Sequence, residues 1–497
     1  MSWRLHSAAV AFGLAAAFAA PARADDAQSL RDEVQALQRR VRELEGSAPT
    51  QEEVEAAVSR YLAATPSTVF VGGADGKAGF PLGKKPYIKE GANKLEIAFR
   101  NQVRYETFLY SDDAVGVVGN GASPEVFTIT DAAPRDRSGF EIERLYLGLD
   151  GSIFCEDITF KLELNFDADG TTGVEKRYAY IDWKFSGEHH IRGGGDKVAY
   201  ACEENHSSSV LAFVDRSIVT KAFELGFDTG VSLWGYFGPC DCPKQFMYKF
   251  QVTNGEGAIS RGSMFNTDAR DTYSDELLFA GMFEWNINAC CTGDYKWDEV
   301  DHRACDKRCE LQAAFGIAGY YENDDDAKRD QWGGLAVRGS SSARAERYGL
   351  NAWFRMQWNG LSVLAEGYLR NIQYTAGSTS PEQEDVGAHI MAHYRFADSN
   401  WGLGVRAGMI WLDDDYLTIS AGNQAGSVDV EDAITEYGFV VNYFFHDHNH
   451  KLSADVNFVQ DNSGVTSSSA GYMASSSSRG VIVEDGVMIR VQWQLNF

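Results

Sequence analysis

An alternation of apolar and polar residues with a period of two is the feature that most constrains the fold of this chain. From Lys94 to Tyr110, most odd positions are apolar, whereas most even positions carry charged or amide side chains. Neighbouring side chains of a strand point to opposite faces, so this pattern predicts a long β-strand with one apolar and one polar face. The alternation recurs along the chain and returns at its end in Val487, Ile489, Val491, Trp493, Leu495 and Phe497.

Composition agrees with a protein built mainly from strands. The 497 residues include 49 glycines, 12% aromatic residues and only 10 prolines, which favours strands and tight turns over helices. Beyond residue 24, no apolar run reaches the length of about 18 residues that a membrane-spanning helix needs. The net charge of -26 disfavours nucleic acid as a partner, because an acidic surface repels a phosphate backbone. We therefore expect an all-β chain that is either soluble or a transmembrane barrel.

Sixteen segments have the length and pattern of strands, and their connections alternate between short turns and long loops. An even number of strands joined in this way is typical of a transmembrane antiparallel β-barrel, and about 16 strands enclose an aqueous channel. One connection on the short side, residues 289–310, is longer than the others. The predicted strands are 95–109, 140–150, 158–167, 174–185, 189–200, 223–237, 246–253, 276–288, 311–321, 347–358, 361–372, 386–396, 401–412, 434–445, 451–460 and 487–497.

The N-terminal region has a different pattern from the strands. An apolar stretch from Ala8 to Ala20, followed by small residues at Ala22 and Ala24, predicts a secretory signal peptide. Apolar residues then follow at alternate spacings of four and three, which predicts a short coiled-coil helix in the periplasm. An amphipathic helix packed on its own domain is the alternative. The predicted division is a signal peptide at 1–24, a coiled-coil helix at 25–64, a linker at 65–93 and a β-barrel at 94–497.

Four strand segments carry a resemblance to a known family: Glu143–Leu147, Phe160–Leu164, Tyr178–Trp183 and Gln251–Gly255. They resemble the phosphate-selective porin O and P family of the bacterial outer membrane, and the likeness covers most of residues 94–497. It implies a homotrimer of sixteen-stranded barrels through which small hydrophilic solutes diffuse passively, inorganic anions such as phosphate among them. The ending on Phe497 is similar to the terminal strand that the assembly machinery of outer-membrane barrels reads.

These implications set the expected partners and one alternative function. We expect outer-membrane lipid and lipopolysaccharide around the barrel, no cofactor and no enzymatic activity. The alternative is a structural outer-membrane anchor that tethers the envelope through its N-terminal helices.

The resemblance also indicates where the channel narrows, because the third external loop of that family folds into the lumen. Here the corresponding loop spans residues 201–222, and Arg216 and Lys221 are its candidate constriction residues. Confined basic groups concentrate anions. The alternative is that carboxylates on the same faces, such as Glu106 and Glu163, neutralise them. The basic wall side chains expected to face the lumen are Arg100, Arg104, Arg144, Lys161, Lys176, Arg355, Arg395 and Arg490.

Eight cysteines are unusual for a porin, and a periplasmic location allows them to form disulfides. We expect Cys290 or Cys291 to pair with Cys305 or Cys309, which would staple the long connection at 289–310 into a cap. A zinc site that includes His302 is the alternative, but the spacing matches no standard zinc motif, and we expect no metal. The cysteines predicted on the periplasmic side are Cys155, Cys240, Cys242, Cys290, Cys291, Cys305 and Cys309.

Overall fold

The computed structural model divides the chain into two units, residues 1–84 and 85–497. In the first unit two short strands, β1 (Thr68–Val69) and β2 (Ala78–Pro81), form an antiparallel pair. The predicted signal peptide and coiled-coil helix lie outside the described residues. Among the residues that the structure describes, no helix is long and apolar enough to cross a membrane. The structure describes residues 68–69, 78–81, 85–110, 137–166, 174–239, 242–255, 277–287, 297–302, 311–324, 344–375, 382–397, 399–411, 413, 415–420, 424–429, 433–461 and 486–497.

Sixteen antiparallel strands of the second unit close into a barrel, because the last strand pairs with the first from Gly486 beside Tyr110 to Asn496 beside Arg100. Each strand coincides with one of the sixteen predicted segments, so the predicted β-barrel is confirmed. A short strand, β3 (Tyr87–Glu90), pairs with the start of the first barrel strand. The first eight barrel strands are β4 (Asn93–Tyr110), β5 (Arg137–Ile153), β6 (Cys155–Asn165), β7 (Glu175–Ser186), β8 (His189–Lys197), β9 (Phe227–Phe237), β10 (Phe246–Thr253) and β11 (Leu278–Asn286).

The second half of the barrel continues in the same up-and-down order. Strands β17 (Asp415–Ser420) and β18 (Gln424–Asp429) form a separate hairpin in the connection between two barrel strands. The remaining barrel strands are β12 (Gln312–Asp324), β13 (Arg344–Trp358), β14 (Leu361–Thr375), β15 (Glu382–Arg395), β16 (Trp401–Trp411), β19 (Ile434–His446), β20 (His450–Asp461) and β21 (Gly486–Asn496).

The outer wall of the barrel is apolar and the inner wall is polar. On β21, Trp493 is 54% exposed on the outer wall, whereas its neighbours Gln492 and Gln494 are buried on the inner wall. A soluble protein buries its apolar face, so this reversed arrangement suits a surface that lipid covers. Exposed aromatic side chains lie near the end of the barrel that carries the short turns, as in membrane interfaces: Tyr394, Phe396, Trp401, Phe445 and Trp493.

Short turns join the strands at one end of the barrel, which is the periplasmic end in barrels of this kind. Asn359 and Gly360 form one of these turns, and their positive φ values of 51° and 85° match the hairpin turn that Asn-Gly favours. Apart from the connection at 289–310, the long connections lie at the opposite, extracellular end, as the sequence predicts.

The connection between β8 and β9, residues 198–226, folds into the lumen, and we call it the inward loop. It contains two short helices, α1 (Cys202–Asn205) and α2 (Ile218–Phe223). Phe223 stacks on Tyr368 of the inner wall with 5.1 Å between ring centroids, and Tyr200 meets Tyr320 edge to face at 4.8 Å. Aromatic pairs of this kind contribute roughly 0.5–1.5 kcal/mol each beyond the area that they bury. The apolar core of the barrel therefore forms between the inward loop and the wall.

Candidate channel constriction

Two wall glutamates hold the helices of the inward loop. Glu366 accepts hydrogen bonds from the backbone N–H groups of Cys202 at 2.5 Å and Glu203 at 3.1 Å, at the start of α1. Glu436 accepts one from the N–H of Ile218 at 3.1 Å, at the start of α2. The first N–H groups of a helix have no partner within the helix, so these carboxylates satisfy donors that burial would otherwise leave unpaired. The loop is therefore fixed to the wall at both helices.

The segment between the two helices is tied to the wall through its backbone. Asn442 on β19 donates to the carbonyl of Ala212 at 2.9 Å. Gln494 on β21 donates to the carbonyl of Ser209 at 2.8 Å. Buried carbonyl groups need hydrogen-bond partners, and here polar side chains of the inner wall supply them. The inward loop is therefore held to the inner wall along its length.

Five charged residues join the inward loop to β4 and β5, and we call Arg104, Arg144, Lys221, Glu143 and Asp215 the anchor cluster. Arg104 lies 2.9 Å from Glu143, and Lys221 lies 2.6 Å from Asp215. Arg144 contacts both carboxylates, at 3.1 and 3.4 Å. A register shift between β4 and β5 allows the consecutive residues Glu143 and Arg144 to be buried together in the lumen.

Carboxylates balance most of the positive charge of the anchor cluster. Burial alone would raise the pKa of Asp215, but the cations Lys221, Arg144 and Arg104 hold it well below its usual range. The side chain of Arg104 is fully buried, and its guanidinium also lies 3.3 Å from Glu106. The cluster therefore presents little net charge to an ion in the lumen.

Arg216 is paired within the inward loop itself. Its Nε lies 2.9 Å from Oε2 of Glu204, and its guanidinium also donates to the backbone carbonyls of the same helix. Although burial disfavours the charged carboxylate, Arg216 and Lys197 lower the pKa of Glu204 to about 2. Burial and the adjacent charge of Glu204 raise the pKa of Glu224 well above its usual range. The two glutamic acids beside Arg216 therefore differ in pKa, with that of Glu204 lowered and that of Glu224 raised.

The predicted constriction residues differ from expectation in their surroundings. Arg216 and Lys221 do lie in the inward loop, but each pairs with a carboxylate of the same loop and offers no unpaired charge to the lumen. The alternative named wall carboxylates as the neutralising partners, whereas the partners of these two cations are Glu204 and Asp215. The physical reason is burial, since a cation that is removed from water needs a counter-charge close by, and Glu204 and Asp215 supply it here.

A second group of cations shares a single carboxylate, and we call Arg100, Lys161, Arg177 and Glu163 the path cluster. Lys161 and Arg177 lie 3.9 and 3.8 Å from Glu163, and Arg100 faces the same carboxylate. Arg100 also donates to the hydroxyl of Ser208 in the inward loop at 2.8 Å. The side chains of Lys161 and Arg177 are 29% and 22% exposed, so these cations are open to water in the lumen.

The alternation in the sequence predicts Lys176, not Arg177, on the lumen side of β7. A register shift between β6 and β7 places Lys176 beside Leu164 and brings Arg177 over the ring of Tyr146, at 4.9 Å from its centroid. One extra residue in a strand reverses the faces of all residues beyond it. The sequence carries no marker of this bulge, so Arg177 is the lumen residue that pattern reasoning misses.

The other basic wall residues predicted in the lumen are paired with acids. Each pair joins the arginine to a carboxylate of another strand or turn of the barrel, as the neutralising alternative expects. The pairs are Arg355 with Glu284 at 2.6 Å, Arg490 with Asp455 at 2.6 Å, and Arg395 with Asp447 at 2.7 Å.

The described cysteines fall into two states. Cys155 and Cys202 are free thiols, so the disulfide expected for Cys155 is not formed. Cys242 is disulfide-bonded. The ranges that the structure describes contain no cluster of His, Cys, Asp or Glu with the geometry of a metal site. The cysteines of the predicted staple, Cys290, Cys291, Cys305 and Cys309, lie outside those ranges. Cys240 lies outside them as well.

An apolar outer wall, a polar lumen and a loop folded into that lumen define a porin of the outer membrane. The model of one family, described as phosphate-selective porin O and P, matches residues 120–476 of this chain. The chain belongs to this family, as the resemblance of its strand segments indicates.

Solved structures of outer-membrane proteins are similar to this chain at low identity. An anion-selective porin from Comamonas acidovorans is 11% identical with a TM-score of 0.48, over 82% of this chain and 100% of that one. The channel DcaP of Acinetobacter baumannii is 10% identical with a TM-score of 0.46, over 82% and 99%. OmpT of Vibrio cholerae is 10% identical with a TM-score of 0.46, over 83% and 100%. No curated protein matches the sequence.

Proposed function

We propose that this porin conducts small inorganic anions, phosphate among them, past the path cluster. The observation that carries the proposal is a local excess of positive charge, because three cations share the single carboxylate of Glu163. Lys161 also lies over the ring of Tyr178, 3.7 Å from its centroid, a cation–π contact that adds no negative charge to the cluster. An anion that enters this part of the lumen meets three cations whose charge Glu163, their shared carboxylate, balances only in part.

The position of the path cluster makes its charge effective. The hydroxyls of Ser207 and Ser208 lie 3.0 and 2.8 Å from the guanidinium of Arg100, so the inward loop borders the lumen at this cluster. Two unit charges 4 Å apart interact by about 4 kcal/mol near a protein surface, against about 1 kcal/mol in bulk water. Anion preference is therefore set mainly where the loop meets this wall.

The remaining predicted constriction residues have a different role in this proposal. Arg104, Arg144, Arg216 and Lys221 are paired with carboxylates at 2.6 to 3.1 Å and position the inward loop. They shape the channel, whereas the path cluster selects the ion.

Reversal potentials in asymmetric salt test the ion preference. Replacing Lys161 and Arg177 together by Gln removes two cations from the path cluster, so we expect the anion preference to fall in planar bilayers at low salt. Lys89→Gln is the matched control, since it removes a cation from β3 that is 46% exposed and outside the cluster. An unchanged reversal potential in the double variant would contradict the proposal, as would a cation-selective parent protein.

Competition separates phosphate from other anions. Added phosphate should reduce the chloride current of the parent channel, because a multiply charged anion dwells longer beside the path cluster. The double variant Lys161→Gln, Arg177→Gln should show a weaker block. Equal block in both proteins would place the phosphate interaction elsewhere in the channel.

The family resemblance and the N-terminal sequence pattern support three proposals on assembly and location. The barrel forms a homotrimer surrounded by outer-membrane lipid and lipopolysaccharide. Residues 1–24 are removed as a signal peptide, and residues 25–64 lie in the periplasm as a coiled-coil helix. Deletion of residues 25–64 should leave the barrel folded, since its first strand begins at Asn93. A monomer by light scattering of the full mature chain in mild detergent would contradict the trimer.

A further inference from the structure

The periplasmic connection between β11 and β12 returns into the barrel. Residues 297–302 are the part of this connection that the structure describes, and we call them the periplasmic strut. Glu299, Val300 and Asp301 are each no more than 3% exposed. A connection at the end of a barrel is ordinarily solvated, because its backbone groups need water as a partner. The strut instead packs inside the barrel, where protein groups replace that water.

The wall holds the strut at both ends. The indole Nε1 of Trp297 donates to Oδ1 of Asn286 on β11 at 3.2 Å. The carboxylate of Asp301 accepts from the backbone N–H of Gly360 at 3.1 Å, in the turn between β13 and β14. The strut is therefore fixed at one end to β11, the strand that precedes it, and at the other end to the turn between β13 and β14.

Glu299 joins the strut to the inward loop. Its backbone N–H donates to the carbonyl of Val210 at 3.2 Å, and its Oε2 accepts from the N–H of Ala212 at 2.8 Å. Its Oε1 lies 3.5 Å from Nδ1 of His206. One loop enters the lumen from the extracellular end and one segment enters from the periplasmic end, and both meet at this residue.

We propose that the periplasmic strut is a second element of the channel constriction, in which Glu299 is a positioning residue for the inward loop. The segment that it holds follows directly on Ser207 and Ser208, whose hydroxyls face Arg100 of the path cluster. A displacement of this segment changes the width of the lumen beside the cluster. The proposal rests on the channel function of the family and not on the ion preference proposed above.

The open-channel noise of single channels tests this role, because a loop that detaches and reattaches modulates the current. Glu299→Ala removes the acceptor for the N–H of Ala212, whereas Glu299→Gln keeps an acceptor oxygen and removes only the charge. Loss of one buried hydrogen bond raises the population of the detached loop about five- to tenfold. We expect excess noise and a changed mean conductance for Glu299→Ala, and parental behaviour for Glu299→Gln.

A matched control and a second variant keep the outcome decisive. Glu156→Gln removes a glutamate whose side chain is 80% exposed in the same half of the barrel, and should leave the noise unchanged. If Glu299→Ala fails to assemble, Ser362→Ala removes a hydrogen bond from the wall to the carbonyl of Glu299 and should raise the noise more mildly.

Parental noise in an assembled Glu299→Ala channel would overturn the proposal. Equal changes in the Ala and Gln variants would also overturn it, because charge alone would then be responsible. Reversal potential is a separate readout, so failure of the anion proposal leaves this result interpretable.

Discussion

The anchor cluster and the path cluster contain the same residue types on adjoining strands, yet their cations stand in different surroundings. In the anchor cluster Arg104, Arg144 and Lys221 lie 2.6 to 3.4 Å from Glu143 or Asp215, so acids match most of the positive charge. In the path cluster three cations share one carboxylate, at 3.8 and 3.9 Å for the two pairs in contact. The number of nearby acids, not of bases, distinguishes them.

Burial explains why the acids are distributed in this way. A buried cation without a partner costs several kcal/mol, so the fully buried side chain of Arg104 requires carboxylates around it. Lys161 and Arg177 keep contact with water and can remain in excess over Glu163. The net charge of -26 for the whole chain therefore says little about the lumen, because the field at a narrow point depends on the nearest groups.

The largest effect that separates the two clusters is expected for Asp215→Asn. The substitution leaves Arg144 and Lys221 beside a neutral amide, and removal of one partner from a buried ion pair costs about 3–5 kcal/mol. The free energy of unfolding in urea should fall, and conductance should rise as the loop leaves the wall. Asp157→Asn, at an exposed position of β6, is the control. If both variants were equally stable, the anchor cluster would not hold the loop.

The barrel itself could be predicted from the sequence because lipid and lumen impose opposite polarity on alternate residues. Alternation located all sixteen strands, and the Asn359-Gly360 turn has the backbone that this dipeptide favours. The resemblance to the family placed the inward loop between β8 and β9. These features depend on local pattern, which a single sequence displays.

The site was less accessible to the same reasoning. Ion pairs such as Arg216 with Glu204 depend on tertiary contacts, and alternation reports only the face of a strand. The bulge that turns Arg177 inward shifts the alternation by one residue without a sequence marker. The strut was likewise missed, since the pattern of residues 289–310 predicts a stapled cap and gives no sign that Glu299 is buried.

A smaller effect is expected for Lys221→Gln, which compares the two clusters directly. Lys221 is partly exposed and paired with Asp215, so its loss should cost about 1 kcal/mol in the free energy of unfolding. The reversal potential should move less than in Lys161→Gln, because the removed charge is already neutralised. Planar bilayers at low salt provide the measurement. An equal shift of the reversal potential in the two single variants would contradict the distinction between the anchor cluster and the path cluster.

The smallest effect at neutral pH is expected for Glu224→Gln, which concerns a buried acid beside Arg216. Burial and the charge of Glu204 raise the pKa of Glu224 well above its usual value of 4.5, so the folded protein binds this proton more tightly than the unfolded chain does. The resulting stability is complete below pH 4.5 and is lost as the pH rises through the raised pKa. A glutamine cannot ionise, so the variant should keep this contribution at alkaline pH.

Unfolding midpoints measured from about pH 4 to about pH 9 check this expectation. The midpoint of Glu224→Gln should match that of the parent in acid and exceed it in alkali, because only the parent must deprotonate a buried acid. Glu156→Gln, with a side chain that is 80% exposed, should follow the parent throughout. Lower stability of Glu224→Gln than of the parent in alkali would contradict this expectation. It would mean that the carboxylate of Glu224 is charged in the folded protein and pairs with Arg216 as a second acid beside Glu204. The difference between the two curves therefore reports whether folding raises the pKa of Glu224.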